Sequence, residues 1–131
     1  MIDGTCHCGR IQWRFDGEIE RVTACNCTVC RRYGTLWAYG YKDEEIEVSG
    51  PTQEYLRGEK ELGFHFCGHC GCVAYWLGTA PNAEGRYRIA VNARLATDPQ
   101  QIQSIPIRHF DGLDKFEAEP GDDRCVQDMW Y

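Results

Sequence analysis

The sequence predicts a single, mainly β domain over residues 1–131, with few and short helices. Three observations support this fold class. A chain of 131 residues has the length of one domain. Its apolar residues recur in short, β-rich stretches, several of which alternate with polar residues as strands with one buried face do. A C-x-x-C turn joins two of these stretches, which is typical of a zinc-ribbon-like hairpin.

The predicted strands are spread along most of the chain. Ile11, Trp13 and Phe15 alternate with polar residues, so one strand is expected over residues 11–15 with these side chains on one face. The other predicted strands cover residues 35–41, 53–57, 62–66, 73–77 and 87–92. The strands at 62–66 and 73–77 flank the turn that contains Cys67 and Cys70, and together they form the predicted hairpin.

Aromatic and turn residues refine this prediction. Trp37, Tyr39 and Tyr41 share one side of the strand at 35–41, and β-strand aromatics of this kind favour core packing over the wall of a pocket. Helices are predicted only over residues 28–33 and 98–101, the second opened by an Asp-Pro pair.

Cysteine is the most informative residue type in the chain. Seven of the nine cysteines fall into three tight groups, Cys6-His7-Cys8, Cys25-Asn26-Cys27-Thr28-Val29-Cys30 and Cys67-Gly68-His69-Cys70. A closed tetrahedral zinc site takes four ligands, so the two pairs make one closed site and the group of three is one ligand short. Thiolates are soft ligands, which favours zinc and leaves an iron–sulfur cluster as the alternative.

Disulfide bonds are the other possible use of so many cysteines. The cysteine count is odd, and the members of each C-x-C pair are too close to be easy bridge partners. The sequence begins Met1-Ile2-Asp3-Gly4, without the charged and then apolar pattern of a signal peptide. We therefore expect the reducing cytoplasm, where such cysteine patterns indicate metal binding or catalysis.

Charge and hydropathy disfavour two classes of partner. The chain has 14 Lys and Arg against 20 Asp and Glu, a formal net charge of −6, and no basic stretch. Such a surface repels phosphate backbones, so we expect no nucleic-acid partner. No apolar run approaches the length of about 18 residues that a membrane-spanning helix needs, so we expect no membrane partner. The sequence indicates no oligomeric state.

The cysteine groups and their neighbours form a pattern found in one protein family. Gly4-Thr5-Cys6-His7-Cys8-Gly9, the segment from Cys25 to Arg32 and Phe66-Cys67-Gly68-His69-Cys70-Gly71 resemble the glutathione-dependent formaldehyde-activating enzyme family, which is also described with centromere protein V. Val91-Asn92-Ala93-Arg94 and Phe110-Asp111-Gly112 are similar to later segments of that family. The resemblance implies a β-tent fold and two zinc ions per chain.

The resemblance also implies different roles for two sets of cysteines. It implies a structural zinc at Cys6, Cys8, Cys67 and Cys70. It implies a zinc associated with catalysis at Cys25, Cys27 and Cys30. The spacing agrees with this division, because the first set closes a long loop of chain whereas the second is local.

The chemistry expected of the second set follows from its charge. Zinc held by three thiolates is a weak Lewis acid but a good holder of a further thiol, which coordination deprotonates. A thiolate held in this way can attack an aldehyde. The family name implies that glutathione and formaldehyde combine to S-hydroxymethylglutathione, with carbon–sulfur cleavage as the reverse. We therefore predict a carbon–sulfur lyase resembling S-(hydroxymethyl)glutathione synthase, with a small-molecule thiol and an aldehyde as partners.

Two arginines are candidates for binding the anionic glutathione. Arg31 and Arg32 directly follow Cys30, and a guanidinium pairs well with a carboxylate. An equally good interpretation is that one of them neutralises the thiolate cluster.

The rival function is a non-catalytic, two-zinc binding module. In that case a fourth ligand, such as His109 or Cys72, closes the second site. The two functions differ in whether the metal at Cys25, Cys27 and Cys30 can exchange its fourth ligand.

Overall fold

The computed structural model describes all of residues 1–131 and contains two β-sheets. The smaller sheet consists of β1 (Ile2–Thr5), β2 (Gln12–Phe15) and β5 (Ile46–Ser49) in the order β1-β2-β5. The strands of the larger sheet are β3 (Val22–Cys25), β4 (Trp37–Tyr41), β6 (Gln53–Leu56), β7 (Leu62–Phe66), β8 (Val73–Gly78), β9 (Arg88–Asn92), β10 (Ile107–Asp111) and β11 (Glu117–Ala118). Their order is β11-β10-β3-β4-β9-β8-β7-β6.

Helical structure is confined to short segments. The α-helix, α1, covers Cys30–Tyr33 and ends at Gly34, whose N–H donates to the Cys30 carbonyl at 2.9 Å. Three 3₁₀ helices cover Ala93–Leu95, Pro99–Gln101 and Val126–Met129. None of these helices has the length and apolar character that crossing a bilayer requires. The predicted mainly β class with few short helices is confirmed.

The main core lies between the two sheets. Ile11, Trp13 and Phe15 are 0%, 2% and 6% exposed, as the alternation of that segment predicts. Trp13 pairs with Gly4 across the small sheet, and a Cβ atom at Gly4 would lie 2.1 Å from the Trp13 indole. Only glycine therefore leaves room for the tryptophan, which fixes how the first strand packs just before Cys6.

The two faces of the larger sheet have different neighbours. On β9, Ile89 and Val91 point into the core shared with the small sheet, and Ala90 points to the opposite face because strand side chains alternate. A second apolar cluster covers that opposite face. It consists of Cys27, Cys30, Trp37, Phe64, Val73, Trp76 and Ala90. Two cysteines of the group of three therefore pack outside the main core.

One parallel pairing positions a late segment beside the second cysteine group. Strands β3 and β10 are parallel, with His109 opposite Ala24 and Phe110 opposite Cys25. The other neighbouring strands in both sheets are antiparallel. This pairing brings residues 107–113 next to the chain that contains Cys25, Cys27 and Cys30.

The predicted strands match observed ones to within two residues at each end. The sequence interpretation missed β1, β3, β5, β10 and β11. The core prediction for the aromatic side of β4 is confirmed for Trp37, which is 1% exposed, and is wrong for Tyr39, which is 44% exposed. Tyr39 lies over Trp76 on the outer face of the sheet, with ring centroids 5.9 Å apart.

Candidate functional site

Four cysteines from two distant turns converge on one point. The Sγ atoms of Cys6, Cys8, Cys67 and Cys70 all lie within 4.8 Å of one another. The Sγ atom of Cys8 lies 3.7 Å from that of Cys6 and 3.6 Å from that of Cys67, although Cys8 and Cys67 are 59 residues apart in the chain. These side chains supply a complete set of four thiol ligands for one metal ion.

The two turns that contain these cysteines have the same construction. Gly9 and Gly71 have φ angles of 84° and 82°, in the left-handed region that favours glycine. The N–H of each glycine donates to the carbonyl of the first cysteine in its turn, Cys6 or Cys67, at 2.9 Å. Each turn thereby folds tightly enough to bring its two thiols together.

Backbone amides donate to the sulfurs of this first group. Ile11 N–H lies 3.3 Å from Cys6 Sγ, and the amides of His69 and Cys70 lie 3.4 and 3.5 Å from Cys67 Sγ. The Cys70 and His69 amides lower the pKa of the Cys67 thiol below its usual range, because they stabilise the thiolate. The turn at Cys67 thus favours the thiolate form of that side chain, which is the form that binds metal.

The second cysteine group is local. The Sγ atoms of Cys25, Cys27 and Cys30 lie within 4.8 Å of one another. Cys25 is the last residue of β3 and Cys30 is the first residue of α1, so the strand-to-helix connection gathers all three thiols. Cys27 and Cys30 are buried, at 7% and 8% exposure, and Cys25 is half-buried. The group can hold a metal ion from one side.

Two side chains from distant parts of the chain, Trp37 of β4 and Arg57 directly after β6, contact these sulfurs. Trp37 Nε1–H donates to Cys30 Sγ at 3.3 Å, and the Cys30 amide donates to Cys27 Sγ at 3.3 Å. The Arg57 guanidinium lies 3.9 Å from Cys27 Sγ. Arg57 thus places a positive charge beside the group of three thiols.

The contact between Cys25 and Cys30 shifts the pKa values of the two thiols in opposite directions. The hydrogen bond from Cys30 lowers the pKa of Cys25 to about 5, and the amides of Cys27 and Gly112 act in the same direction against the effect of burial. The same contact with Cys25, together with burial, raises the pKa of Cys30. The contact between the two sulfurs thus favours the thiolate on Cys25 over that on Cys30.

The segment that follows β10 packs against this group. A Cβ atom at Gly112 would lie only 2.7 Å from Cys25 Sγ, so the close approach requires glycine. Asn26 Nδ2–H donates to Asp111 Oδ1 at 3.1 Å, and the Leu113 N–H donates to Asn26 Oδ1 at 3.1 Å. These contacts tie the loop between Cys25 and Cys27 to a segment 85 residues away.

A cleft of about 480 Å³ lies beside the second group. Cys25 and Cys30 line it together with Arg31 and His109. Of the two arginines proposed from the sequence, the structure brings Arg31 to the cleft and not Arg32. The Arg32 guanidinium is exposed and donates to the Thr28 carbonyl at 2.7 Å.

No fourth side-chain ligand belongs to the second group. His109 Nε2 lies 3.2 Å from Asp122 Oδ1, which orients its ring toward that carboxylate. Cys72 lies beside the first group instead, where burial, with Cys70 as a neighbour, raises the pKa of its thiol. Neither side chain that was considered from the sequence closes the group of three.

Comparison with known proteins identifies the family. The sequence model of the family described as glutathione-dependent formaldehyde-activating enzyme matches residues 1–107. The chain belongs to this family. The match includes all seven grouped cysteines and both arginines that follow Cys30, which confirms the resemblance seen in the sequence.

Solved structures support the fold. The crystal structure of a Rhodobacter sphaeroides protein is similar, with 21% sequence identity and a TM-score of 0.61 over 80% of this chain and 98% of that chain. At this identity the similarity concerns the fold alone. The comparison with curated proteins gave no match.

Family membership does not by itself point to the residues that surround the second group. Arg57, Trp37 and Gly112 lie beside its cysteines, yet Trp37 is on β4, and Arg57 and Gly112 directly follow β6 and β10. No local motif marks Arg57, and only strand pairing shows that it reaches Cys27. Gly112 carried a weak signal, because the sequence analysis compared Phe110-Asp111-Gly112 with a late segment of the family, although the family match ends at residue 107.

Proposed function

We propose that this protein is a zinc-dependent carbon–sulfur lyase that joins a thiol to formaldehyde or another small aldehyde and catalyses the reverse cleavage. One observation carries the proposal. A closed set of four thiols and a set of three thiols with no fourth side-chain ligand lie in the same chain, and two cysteines of the second set, Cys25 and Cys30, line a cleft of about 480 Å³.

We assign one zinc ion to each cysteine group. Sulfurs placed about 2.3 Å from a tetrahedral zinc lie about 3.8 Å from one another. The separations of 3.7 and 3.6 Å in the first group support this assignment. A donor set made only of thiols also favours zinc among the common metals.

The two metals are assigned different roles. Cys6, Cys8, Cys67 and Cys70 hold the structural ion, because they tie two distant turns together. Cys25, Cys27 and Cys30 hold the ion that takes part in catalysis. A metal ion held by these three residues would supply a position at which a substrate thiol loses its proton at neutral pH.

Residues around the second group position its sulfurs, compensate their charge and bind the substrate. Trp37 and the Cys30 amide hold the sulfurs in place by hydrogen bonds, and Arg57 offsets their negative charge. Arg31, at the edge of the cleft, is assigned to a carboxylate of the thiol substrate, glutathione in the first instance.

The reaction balances without another reactant. The sulfur lone pair attacks the aldehyde carbon to form the new carbon–sulfur bond, and the carbon–oxygen double bond becomes a single bond. The proton of the thiol ends on the new hydroxyl, so R–SH and CH₂O give R–S–CH₂OH.

The proposed function also predicts where the enzyme is located and which partners it has. We propose a cytoplasmic enzyme whose partners are the thiol and the aldehyde, without nucleic acid or membrane. The net charge of −6 supports the exclusion of nucleic acid.

Exchange NMR tests the proposed activity. The rate at which ¹³C-formaldehyde exchanges with S-hydroxymethylglutathione is measured with the zinc-loaded protein and without protein. We expect an acceleration of about tenfold or more, equivalent to about 1.4 kcal/mol of barrier lowering. Cys25→Ser should abolish the acceleration, and Arg32→Gln should retain it, because Arg32 lies outside the cleft. A zinc-loaded wild type that is no faster than free zinc would instead favour the two-zinc binding module.

A further inference from the structure

A row of aromatic and arginine side chains crosses the outer face of the larger sheet, which is the face turned away from the small sheet. Arg108 of β10 lies opposite Thr23 of β3, and Thr23 lies opposite Trp37 of β4. Tyr39 is two residues beyond Trp37, so its side chain is on the same face. Strand register therefore places Arg108 and Tyr39 near each other on this face.

The side chains on either side of Arg108 are aromatic. The guanidinium carbon of Arg108 lies 5.4 Å from the centre of the Phe110 ring, and that ring meets Phe116 edge-on with centroids 5.1 Å apart. Burial raises the pKa of the Tyr39 hydroxyl, and the nearby positive charge of Arg108 opposes this effect. Arg108 thus lies between the Tyr39 ring and the pair of Phe110 and Phe116.

The charge of Arg108 is not used within the protein. Another arginine, Arg86, also stacks on an aromatic ring, 3.5 Å from the centre of Tyr41, but it pairs with Glu44 at 2.9 Å and with Glu84 at 3.4 Å. Arg108 makes no ion pair, and its guanidinium makes no hydrogen bond, although the protein has a net charge of −6. Its N–H groups are therefore available to an anionic ligand.

The arginine at the other end of the row has acidic neighbours. The guanidinium carbon of Arg88 lies 5.5 Å from the centre of the Trp76 ring. Three acidic residues line the same cleft of about 520 Å³ as Arg88, and they are Asp16, Glu18 and Glu45. Arg108 does not line that cleft. An anion is therefore favoured at Arg108 and not at Arg88.

The aromatic rings near Arg108 present open surface. Phe116 is 76% exposed, and its φ angle of 55° lies in the left-handed region, which bulky residues rarely adopt. Strained residues of this kind cluster at sites that bind ligands. Tyr39 is 44% exposed. A planar ligand can therefore cover apolar surface on either side of Arg108.

We propose that Tyr39, Arg108 and Phe116 form a binding site for a planar aromatic anion. The guanidinium binds the carboxylate or phosphate, and the ring of the ligand stacks on Tyr39 or Phe116. The site goes beyond the proposed function, because it contains no metal ligand and its own ligand needs neither a thiol nor an aldehyde. Aromatic acids and nucleotides share the required chemistry.

Calorimetric titration of the zinc-loaded protein with three probes tests the site. 2-Naphthoate carries both a ring and a charge, 2-naphthalenemethanol carries the ring alone, and acetate carries the charge alone. We expect 2-naphthoate to bind about tenfold or more tightly than either of the others, because stacking and charge act together. Equal affinity for 2-naphthoate and one of the partial probes would overturn the site.

A titration with AMP distinguishes the two sources of such a ligand. AMP binding more tightly than 2-naphthoate would support a nucleotide, and the reverse order would support an aromatic acid. Each order supports a planar aromatic anion, provided that both probes bind more tightly than acetate.

Variants assign the binding to these side chains. Arg108→Gln should raise the Kd of 2-naphthoate about fivefold, as expected for a partly exposed charged hydrogen bond, and Arg108→Lys should fall between Arg108→Gln and the wild type. The matched control is Arg86→Gln, which removes a stacked arginine whose charge is already paired and should bind as the wild type does. Equal affinity in Arg108→Gln and Arg86→Gln would overturn the site.

The two exposed rings are tested separately. Tyr39→Ala or Phe116→Ala, according to which ring the ligand covers, should raise the Kd of 2-naphthoate about threefold or more. Wild-type affinity in both variants would contradict the stacking.

The cobalt-substituted protein distinguishes this site from the metal at the second cysteine group. A carboxylate that bound to that metal would change its visible bands. We expect the bands to stay unchanged at a 2-naphthoate concentration that saturates the calorimetric signal. Bands that change over the same concentration range would place the anion at the metal and overturn the aromatic site.

Discussion

The two cysteine groups contain the same type of side chain, but they differ in number of thiols and in how far apart those thiols lie in the sequence. The first joins turns whose cysteines Cys8 and Cys67 are 59 residues apart, and four thiols complete it. The second gathers three thiols from residues 25–30 at the end of one strand and the start of one helix. A metal in the first group constrains the fold, whereas a metal in the second can still interact with a ligand from the cleft.

The contacts around the sulfurs differ in the same way. Backbone amides of its own two turns, such as those of Ile11 and Cys70, donate to the first group. The second group instead contacts Trp37 of β4 and Arg57, which directly follows β6, and it packs against Gly112. The first group is therefore built by local turns and the second depends on the completed sheet.

The largest expected effect tests this division directly. Cys67→Ser should lower the free energy of unfolding by about 4 kcal/mol or more, because loss of a structural metal is among the most destabilising single changes. Cys25→Ser should change it by about 1 kcal/mol or less and should remove one of the two metal ions. Thermal denaturation followed by circular dichroism, with metal analysis of the purified proteins, measures both.

The comparison between the groups fails if the two variants exchange roles. A folded Cys67→Ser protein together with an unfolded Cys25→Ser protein would show that the group of three is the structural one.

A smaller effect is expected from Gly112→Ala. The added methyl group would lie 2.7 Å from Cys25 Sγ and so displace the sulfur. We expect metal affinity at the second group to fall by about tenfold or more, as for other changes around metal ligands, with the first group unaffected. Competition with a chromophoric chelator resolves the two affinities.

Gly121→Ala is the matched control for Gly112→Ala. A Cβ atom there meets no neighbour within 4 Å, so both metals should bind as in the wild type. Equal second-site affinity in the two variants would contradict the supporting role of Gly112.

The smallest expected effect concerns pH and the strand that leads to the first group. Burial lowers the pKa of His65 below its usual 6.5, although Glu54 opposes this effect. Because the folded-state pKa is the lower one, the native state favours neutral His65, and its contribution to stability is present above pH 6.5 and is lost as pH falls through the folded-state pKa. The melting temperature of the wild type relative to His65→Gln should therefore decline from pH 7.5 to 5.5. A relative increase on acidification would show that the pairing with Glu54 dominates.

Much of the fold could be predicted because its signals are local. The alternation of Ile11, Trp13 and Phe15 predicts a strand with one buried face, and the C-x-x-C turn predicts the hairpin of β7 and β8. Strands β3 and β10 were missed because their parallel pairing joins residues more than eighty positions apart, which no local pattern encodes.

The same contrast between local patterns and long-range pairing applies to the candidate site. The spacing of the cysteines indicates two groups, and the structure brings together the same seven side chains. Arg57 and Arg94 come to the second group and its cleft only through the pairing of distant strands, so the sequence indicated only the neighbours Arg31 and Arg32, of which Arg31 lines the cleft. Local spacing thus predicts the ligands but not the residues that surround them.

The most direct test of the difference between the two groups is the visible absorption of the dicobalt protein during titration with glutathione. We predict that the ligand-field bands of about half of the cobalt change, because only the group of three accepts a further thiol. In Cys25→Ser, the remaining cobalt should show four-sulfur bands that glutathione does not alter. Wild-type bands that stay unchanged at millimolar glutathione, or that already show four sulfurs at both metals, would contradict the account.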